Sequence, residues 1–302
     1  MSLPAAASYL TSSSPLWVTG RALLARRGVE LFACWSRAGR NPDHKAIHEL
    51  RIASRIVREC LLFFAPCYRS GDSARFSQKL DRLNKRLGAI RSTDEAMLFM
   101  ELIVEELSPE CRVRLTHVVN QLSREREDEA RRVGRFLRKT RRLSLGALFK
   151  ELSIPPDLFR NVGIDPFMPV RRYLRDTLRL TLAAMEPLAD TGRSGNSGEA
   201  LRQWRIATKN LNYLLELVAP VMIQAPPDLV LLLLERYREL LEALHDLNSF
   251  RELMEKLVTD EEALRELLGI IIAKQSGVRS KLSALLEEQP WERLLTRIEE
   301  SL

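Results

Sequence analysis

Apolar residues recur at spacings of three and four along most of the chain, the period of amphipathic helices, and they nowhere alternate for long enough to make a strand. The breaks between these stretches carry helix-start signals. Ser14-Pro15 opens a helix from about Trp17 to Ala38, Asn41-Pro42-Asp43 opens one running to Ala65, and Ser73 opens one running to about Arg91. Ser92-Thr93-Asp94-Glu95 has capping-box spacing and predicts a fresh start, and Ser108-Pro109 begins a long helix ending near Arg142. Further helices are expected from Val170, after a Gly/Ser-rich turn at Gly192 to Gly198, from about Pro227, and from Asp260. Apolar runs such as Leu229 to Leu234 and Gly269 to Ala273 fall far short of the roughly 20 residues a membrane span requires, so no membrane association is expected. With 302 residues, 45% of them hydrophobic, the chain has enough apolar surface to fold as an all-α protein.

An internal repeat organises these elements. His48 to Pro66 (HELRIASRIVRECLLFFAP) aligns without a gap to Arg202 to Pro220 (RQWRIATKNLNYLLELVAP) at an offset of 154, with six identical positions. The same offset places LDRLNKRLGAIRSTD from Leu80 on LERYRELLEALHDLN from Leu234, and Arg21 on Arg175. The pattern predicts two helical repeats, 15–150 and 165–302, forming two pseudo-symmetric antiparallel four-helix-type bundles by internal duplication. The segment with Pro155, Pro156, Pro166 and Pro169 is the linker between them.

Charge separates the halves. Residues 1–182 carry 33 basic and 20 acidic side chains, and 183–302 carry 14 and 20, for a total of +7. Of the basic residues 38 are arginine, whose planar fork suits phosphate and carboxylate oxygens, although a codon bias would enrich arginine as well. On the second helix His48, Arg51, Arg55 and Arg58 fall within an arc of about 80°, and His44 joins them one turn earlier. Arg75, Lys79, Arg82 and Arg86 lie within about 60° on the next helix. No acid falls inside either arc, and stacked like charges repel unless an anion lies across them. Arg202, Arg205 and Lys209 preserve the first stripe in the second half, diluted by Asn212 and Glu216. The stripes predict a polyanion site on the first half that continues weakly onto the second.

Other chemistries find fewer residues. His44 and His48 with Glu49 or Asp43 are short of the three or four convergent ligands zinc takes, since His117 and His245 are distant in sequence, so no metal or other cofactor is expected. A phosphate- or metal-dependent enzyme would need a P-loop or a carboxylate set for Mg²⁺. Neither is visible, because Asp94, Asp246 and Asn248 read as helix-opening residues, and no catalytic residue is assigned. Only 19 aromatics occur, and Trp204 falls on an apolar face, which disfavours single-stranded nucleic acid. The basic arm from Arg124 to Arg142 keeps an RNA- or protein-binding module open as an alternative. Cys34, Cys60, Cys67 and Cys111 form no CxxC pair and sit among apolar neighbours, and no secretory leader is apparent, so a reducing cytoplasm is expected.

The pattern H-x-x-R-[IV]-x-x-[RK]-x-x-R, followed by an apolar run and then L-G-x-x-R-x-x-D, the whole repeated, resembles the CHAD domain, the conserved histidine α-helical domain. The first copy is HELRIASRIVR at 48–58 with LGAIRSTD at 87–94, and the second is RQWRIATKNLN at 202–212 with LEALHDLN at 241–248. The resemblance covers nearly the whole chain, as a single domain over 1–302. It implies non-catalytic binding of inorganic polyphosphate, association with a triphosphate-processing CYTH-type protein, and residence at polyphosphate granules. Departures are Ser92, where the family commonly has Asp, Arg202 in place of a second His, and Asn212 in place of an Arg.

Overall fold

The computed structural model describes residues 10–68, 70–142, 149, 164–194, 198–222, 224 and 226–301. Among them are ten α-helices and no strand beyond one isolated bridge, so the protein is all-α. In chain order the helices are α1 (Leu16–Arg40), α2 (His44–Phe63), α3 (Ser70–Ile103), α4 (Pro109–Arg142), α5 (Val170–Met185), α6 (Pro187–Ser194), α7 (Gly198–Val218), α8 (Asp228–Leu257), α9 (Glu261–Glu288) and α10 (Trp291–Glu300). Pro155 and Pro156 of the expected linker, and residues 195–197 of the Gly/Ser-rich turn, lie outside the described residues.

Local signals account for most boundaries. Asp43 accepts the Ala46 N–H at 2.7 Å and starts α2, Asp260 does the same for Ala263 at 2.9 Å before α9, and prolines stand immediately before α1, α5, α8 and α10. The expected break at Ser92 is absent, and α3 runs unbroken through it. Its capping-box side chains are engaged elsewhere. Thr93 donates to the Ala89 carbonyl at 3.3 Å, Asp94 is buried against Arg126 of α4 at 2.9 Å, and Glu95 pairs with Arg91. With Leu87, Ile90, Ala96 and Met100 continuing the buried face, packing rather than capping decides the helix length here.

Each of the two cores draws on both halves of the sequence. The larger joins α1, α2 and the first part of α3 to α5, α7, the first part of α8 and α10. Trp204, Tyr237 and Trp291 form an aromatic triad within it, with ring centroids 5.1 to 5.8 Å apart. The smaller core lies where the α3–α4 hairpin meets the α8–α9 hairpin, around Met100, Leu115, Met254 and Leu267. Glu266 of α9 receives both the backbone N–H of Ser108 (2.6 Å) and its hydroxyl (2.8 Å), and so fastens the start of α4.

The leaders of α1 and α5 clasp each other. Leu16 N–H donates to Met168 O and Val170 N–H to Ser14 O, both at 2.9 Å, while Trp17 N–H donates to Pro166 O and Arg171 N–H to Ser12 O, both at 3.0 Å. Adding 154 to the first-half residue of one bond and subtracting 154 from its second-half partner generates the other bond of the pair. The starts of α1 and α5, the ends of α3 and α8, and the turns Ala65–Cys67 and Ala219–Val221 obey the same offset.

Candidate anion-binding cleft

Helices α2 and α7 lie against each other, flanked by α3 and α8, and their polar faces meet in one cleft. The α2 residues grow from the register that buries Leu50, Ile56, Val57 and Cys60 on the opposite side, which leaves His48, Arg51 and Arg55 on the face turned to α7. On α7, burial of Trp204, Leu211 and Leu215 likewise turns Arg205 and Lys209 inward. Lys209 is only 8% exposed. Its ammonium donates to both carboxylate oxygens of Glu242 on α8, each at 2.9 Å. Arg205 reaches the same carboxylate at 3.5 Å, and Arg91 of α3 at 3.4 Å.

Positive charge is crowded in this cleft. Burial and the repulsion of Arg91 and Arg55 push the Arg51 guanidinium down to about 10, with Glu95 offsetting only part of it. Burial also lowers Lys209 to about 8. Its bond to Glu242 works against this, and the charges of Arg55 and Arg91 add to it. Burial opposes ionisation of Glu242, yet Lys209, Arg205 and Arg91 outweigh it and hold the carboxyl at about 2. His48 is held below the ordinary imidazole value by burial and by Arg91, His44, Lys209 and Arg51. Asp246 moves the other way, up to about 7, through burial and the nearby charges of Glu95 and Glu242. The Nε atoms of Arg51 and Arg205, equivalent positions at the 154 offset, are both buried without a hydrogen-bond partner. An anion's oxygens would be fitting acceptors for these two donors, which lie among other cations.

The candidate residues fall into two groups. His48, Arg51, Arg55, Arg205 and Lys209 come together, with Arg202 at the exposed edge paired to Glu199 at 3.4 Å. His44 stacks on His48 with centroids 6.2 Å apart. Arg58 is not unopposed, because Asp81 of α3 meets it at 3.2 Å. The stripe Arg75, Lys79, Arg82 and Arg86 is turned away from the cleft. Asn84 accepts the Ser54 hydroxyl of α2 at 2.7 Å and Asp81 reaches Arg58, which puts that face of α3 toward α2, whereas Arg86 lies 6.0 Å over the Phe136 ring of α4. Arg75 pairs with Asp72. Arg21 lies 5.9 Å over Trp17 near Cys67 and Tyr68, beyond the far end of α2 from His48, and Arg175 lies beside Asp176 at 3.7 Å; neither joins the site.

Cleft residues outside the predicted set include Arg91, Glu242, Asp246 and His245, whose imidazole is held below its ordinary value by burial and by Arg205 and Lys209, with Glu242 opposing. Their signal was present in the second repeated motif, where Arg91 and Ser92 align with His245 and Asp246. Asp94, Asp246 and Asn248 are not helix-opening residues, since all three lie inside helices α3 and α8. Of the zinc candidates, Glu49 pairs with Arg37 at 3.1 Å and Asp43 caps α2, so both are committed elsewhere. Among the described residues no cluster of three or more His, Cys, Asp or Glu side chains suits a metal.

Fold and cleft together define a helical domain with a cationic cleft between α2 and α7, flanked by α3 and α8. The CHAD domain family matches residues 22–255, and the chain belongs to that family. The fold is similar to the crystal structure of the CHAD domain from the plant Ricinus communis (TM-score 0.68, 19% identity, 92% of each chain covered). It is also similar to PptA from Streptomyces chartreusis (TM-score 0.61, 17% identity, 91% of this chain and 100% of that one). No curated protein sequence matches the chain.

Proposed function

We propose that this protein binds inorganic polyphosphate in the cleft between α2 and α7 without acting on it chemically. The observation that carries the reading is the pair of unsatisfied buried Nε donors on Arg51 and Arg205, set among cations that outnumber the carboxylates facing them. A chain of phosphates supplies repeated oxygens to successive guanidinium groups, which a single small anion does not. Family membership supports the same ligand, and the family resemblance supports a CYTH-type triphosphate-processing partner and a place at polyphosphate granules.

Two further parts of the proposal rest on separate observations. The four buried free cysteines favour the reducing cytoplasm, and no helix among the described residues is long and apolar enough to cross a membrane. The offset of 154 that relates the α1–α5 clasp and the helix ends favours duplication of one ancestral unit, as 15–150 and 165–302.

The test is a titration of the purified protein with long-chain polyphosphate, tripolyphosphate and DNA of matched charge at two salt concentrations. The longest polyphosphate is expected to bind most tightly at both. Arg51→Gln and Arg205→Gln should each weaken it roughly tenfold or more, the loss of one buried charge-assisted bond of about 1.5 to 3 kcal/mol, while Arg82→Gln on the outward stripe should change little. Tighter binding of DNA at every salt concentration, or indifference to both cleft substitutions, overturns the proposal.

A further inference from the structure

The repeat offset exposes an asymmetry across the cleft. Arg205 and Lys209 on the α7 side correspond to Arg51 and Arg55 on the α2 side, and Glu242, which neutralises the α7 pair, corresponds to Gly88. Gly88 lies one turn after Asn84, which meets Ser54 of α2, and one turn before Arg91, which meets Glu242, so it lies on the cleft face of α3. A Cβ placed there would find nothing within 4 Å. The carboxylate that fills the α7 side therefore has no counterpart at the equivalent place on the α2 side, where Glu95 offsets Arg51 only in part.

Glu242 is held as a bound phosphate would be. Both of its oxygens accept from the Lys209 ammonium at 2.9 Å, with the guanidinium groups of Arg205 and Arg91 within 3.5 Å. Building on the polyphosphate reading, we propose that Glu242 is a resident counter-anion, so that phosphate seats first on the open α2 side and only a chain long enough to cross the cleft displaces the carboxylate and engages both sides. Covalent attachment gives Glu242 a high effective concentration at Lys209, which a lone phosphate has to match from solution and a tethered second phosphate does not. Chain-length preference then comes from competition within the protein as well as from the number of contacts.

Two converse variants test this by isothermal titration, with circular dichroism to check the fold. Glu242→Gln should tighten long-chain polyphosphate at least tenfold and raise tripolyphosphate from one molecule per chain to two. Gly88→Glu should weaken long-chain polyphosphate at least tenfold by closing the second side, and glutamate in place of glycine favours the helix, so the fold is kept. If Glu242 only holds Lys209 and Arg205 in place, Glu242→Gln weakens binding and leaves one tripolyphosphate, which overturns the inference; so does an unaltered affinity in Gly88→Glu. A wild-type protein that binds no polyphosphate defeats the functional proposal instead.

Discussion

Replacing Asp246 by asparagine should stabilise the protein, by an amount that grows as pH rises from about 4 and is largest at neutral pH and above. In the folded state this carboxyl is pushed from 3.8 to about 7, by burial and then by Glu95 and Glu242, against the pull of Arg91 and Lys209. The folded protein thus keeps a proton that the unfolded chain has already released, and stability falls as pH rises between those two values and is level above about 7. Fully ionised, the group costs on the order of 4 kcal/mol. About 1.5 kcal/mol of that is already lost at pH 5, so the difference between pH 5 and pH 8 is about 2 to 3 kcal/mol. Asparagine keeps the shape and carries no proton equilibrium. For a chain of this length the gain over wild type should grow between pH 5 and pH 8 by about 4 °C in Tm. Thermal denaturation of both proteins at the two pH values, followed by far-ultraviolet circular dichroism, measures it. A shift in Tm that is the same at both pH values, or a variant less stable at pH 8, refutes the reasoning.

Polyphosphate binding should strengthen as pH falls. A bound anion raises the depressed His48 pKa, so this added affinity is present below the bound-state value and is lost as pH rises through it; titrations between pH 5.5 and 8 with His48→Gln as control measure it, and an unchanged pH slope in the variant counts against it. Gly28→Ala should destabilise by about 1 to 3 kcal/mol in urea denaturation, because its Cβ would lie 2.0 Å from the Phe149 ring; an unchanged midpoint would mean that the ring moves aside freely.

Helix positions were legible wherever a local side chain decides them. Asp43 and Asp260 cap as their places in the chain suggest, and Val170 begins α5. The Ser92 box misled because its partners are not local: Arg126 is 32 residues from Asp94 and takes the carboxylate that would otherwise favour a cap. The α2 stripe was legible from periodicity, and its α7 counterpart from the repeat. Periodicity could not say that the α3 stripe looks away from the cleft, since angles within one helix are silent about the side on which its neighbour lies. The weight given to the first half also follows from reading helices singly. Taken alone, α7 presents Lys209 and Arg205 as what is left of a diluted stripe, yet they lie among the buried groups of the site, because burial depends on what α2, α3 and α8 bring to them. The four added cleft residues come from the motif that reads as helix punctuation in one dimension and as an electrostatic network in three.

The sharing of each core between halves sets a timetable for synthesis. Met100 and Leu115 meet Met254 and Leu267 in the smaller core, partners about 150 residues later in the chain. At ribosomal rates of about 5 to 20 residues per second, the first helices wait roughly 8 to 30 s for the segments that cover them. Throughout that interval the parts of α3 and α4 that α8 and α9 cover, and the cationic face of α2 that α7 covers, stay exposed on a nascent chain tethered beside ribosomal RNA. Native contacts of such long sequence separation also make for slow folding after release. The protein's exposure to aggregation is therefore concentrated in its manufacture, and it ends when α8 and α9 close over the first hairpin.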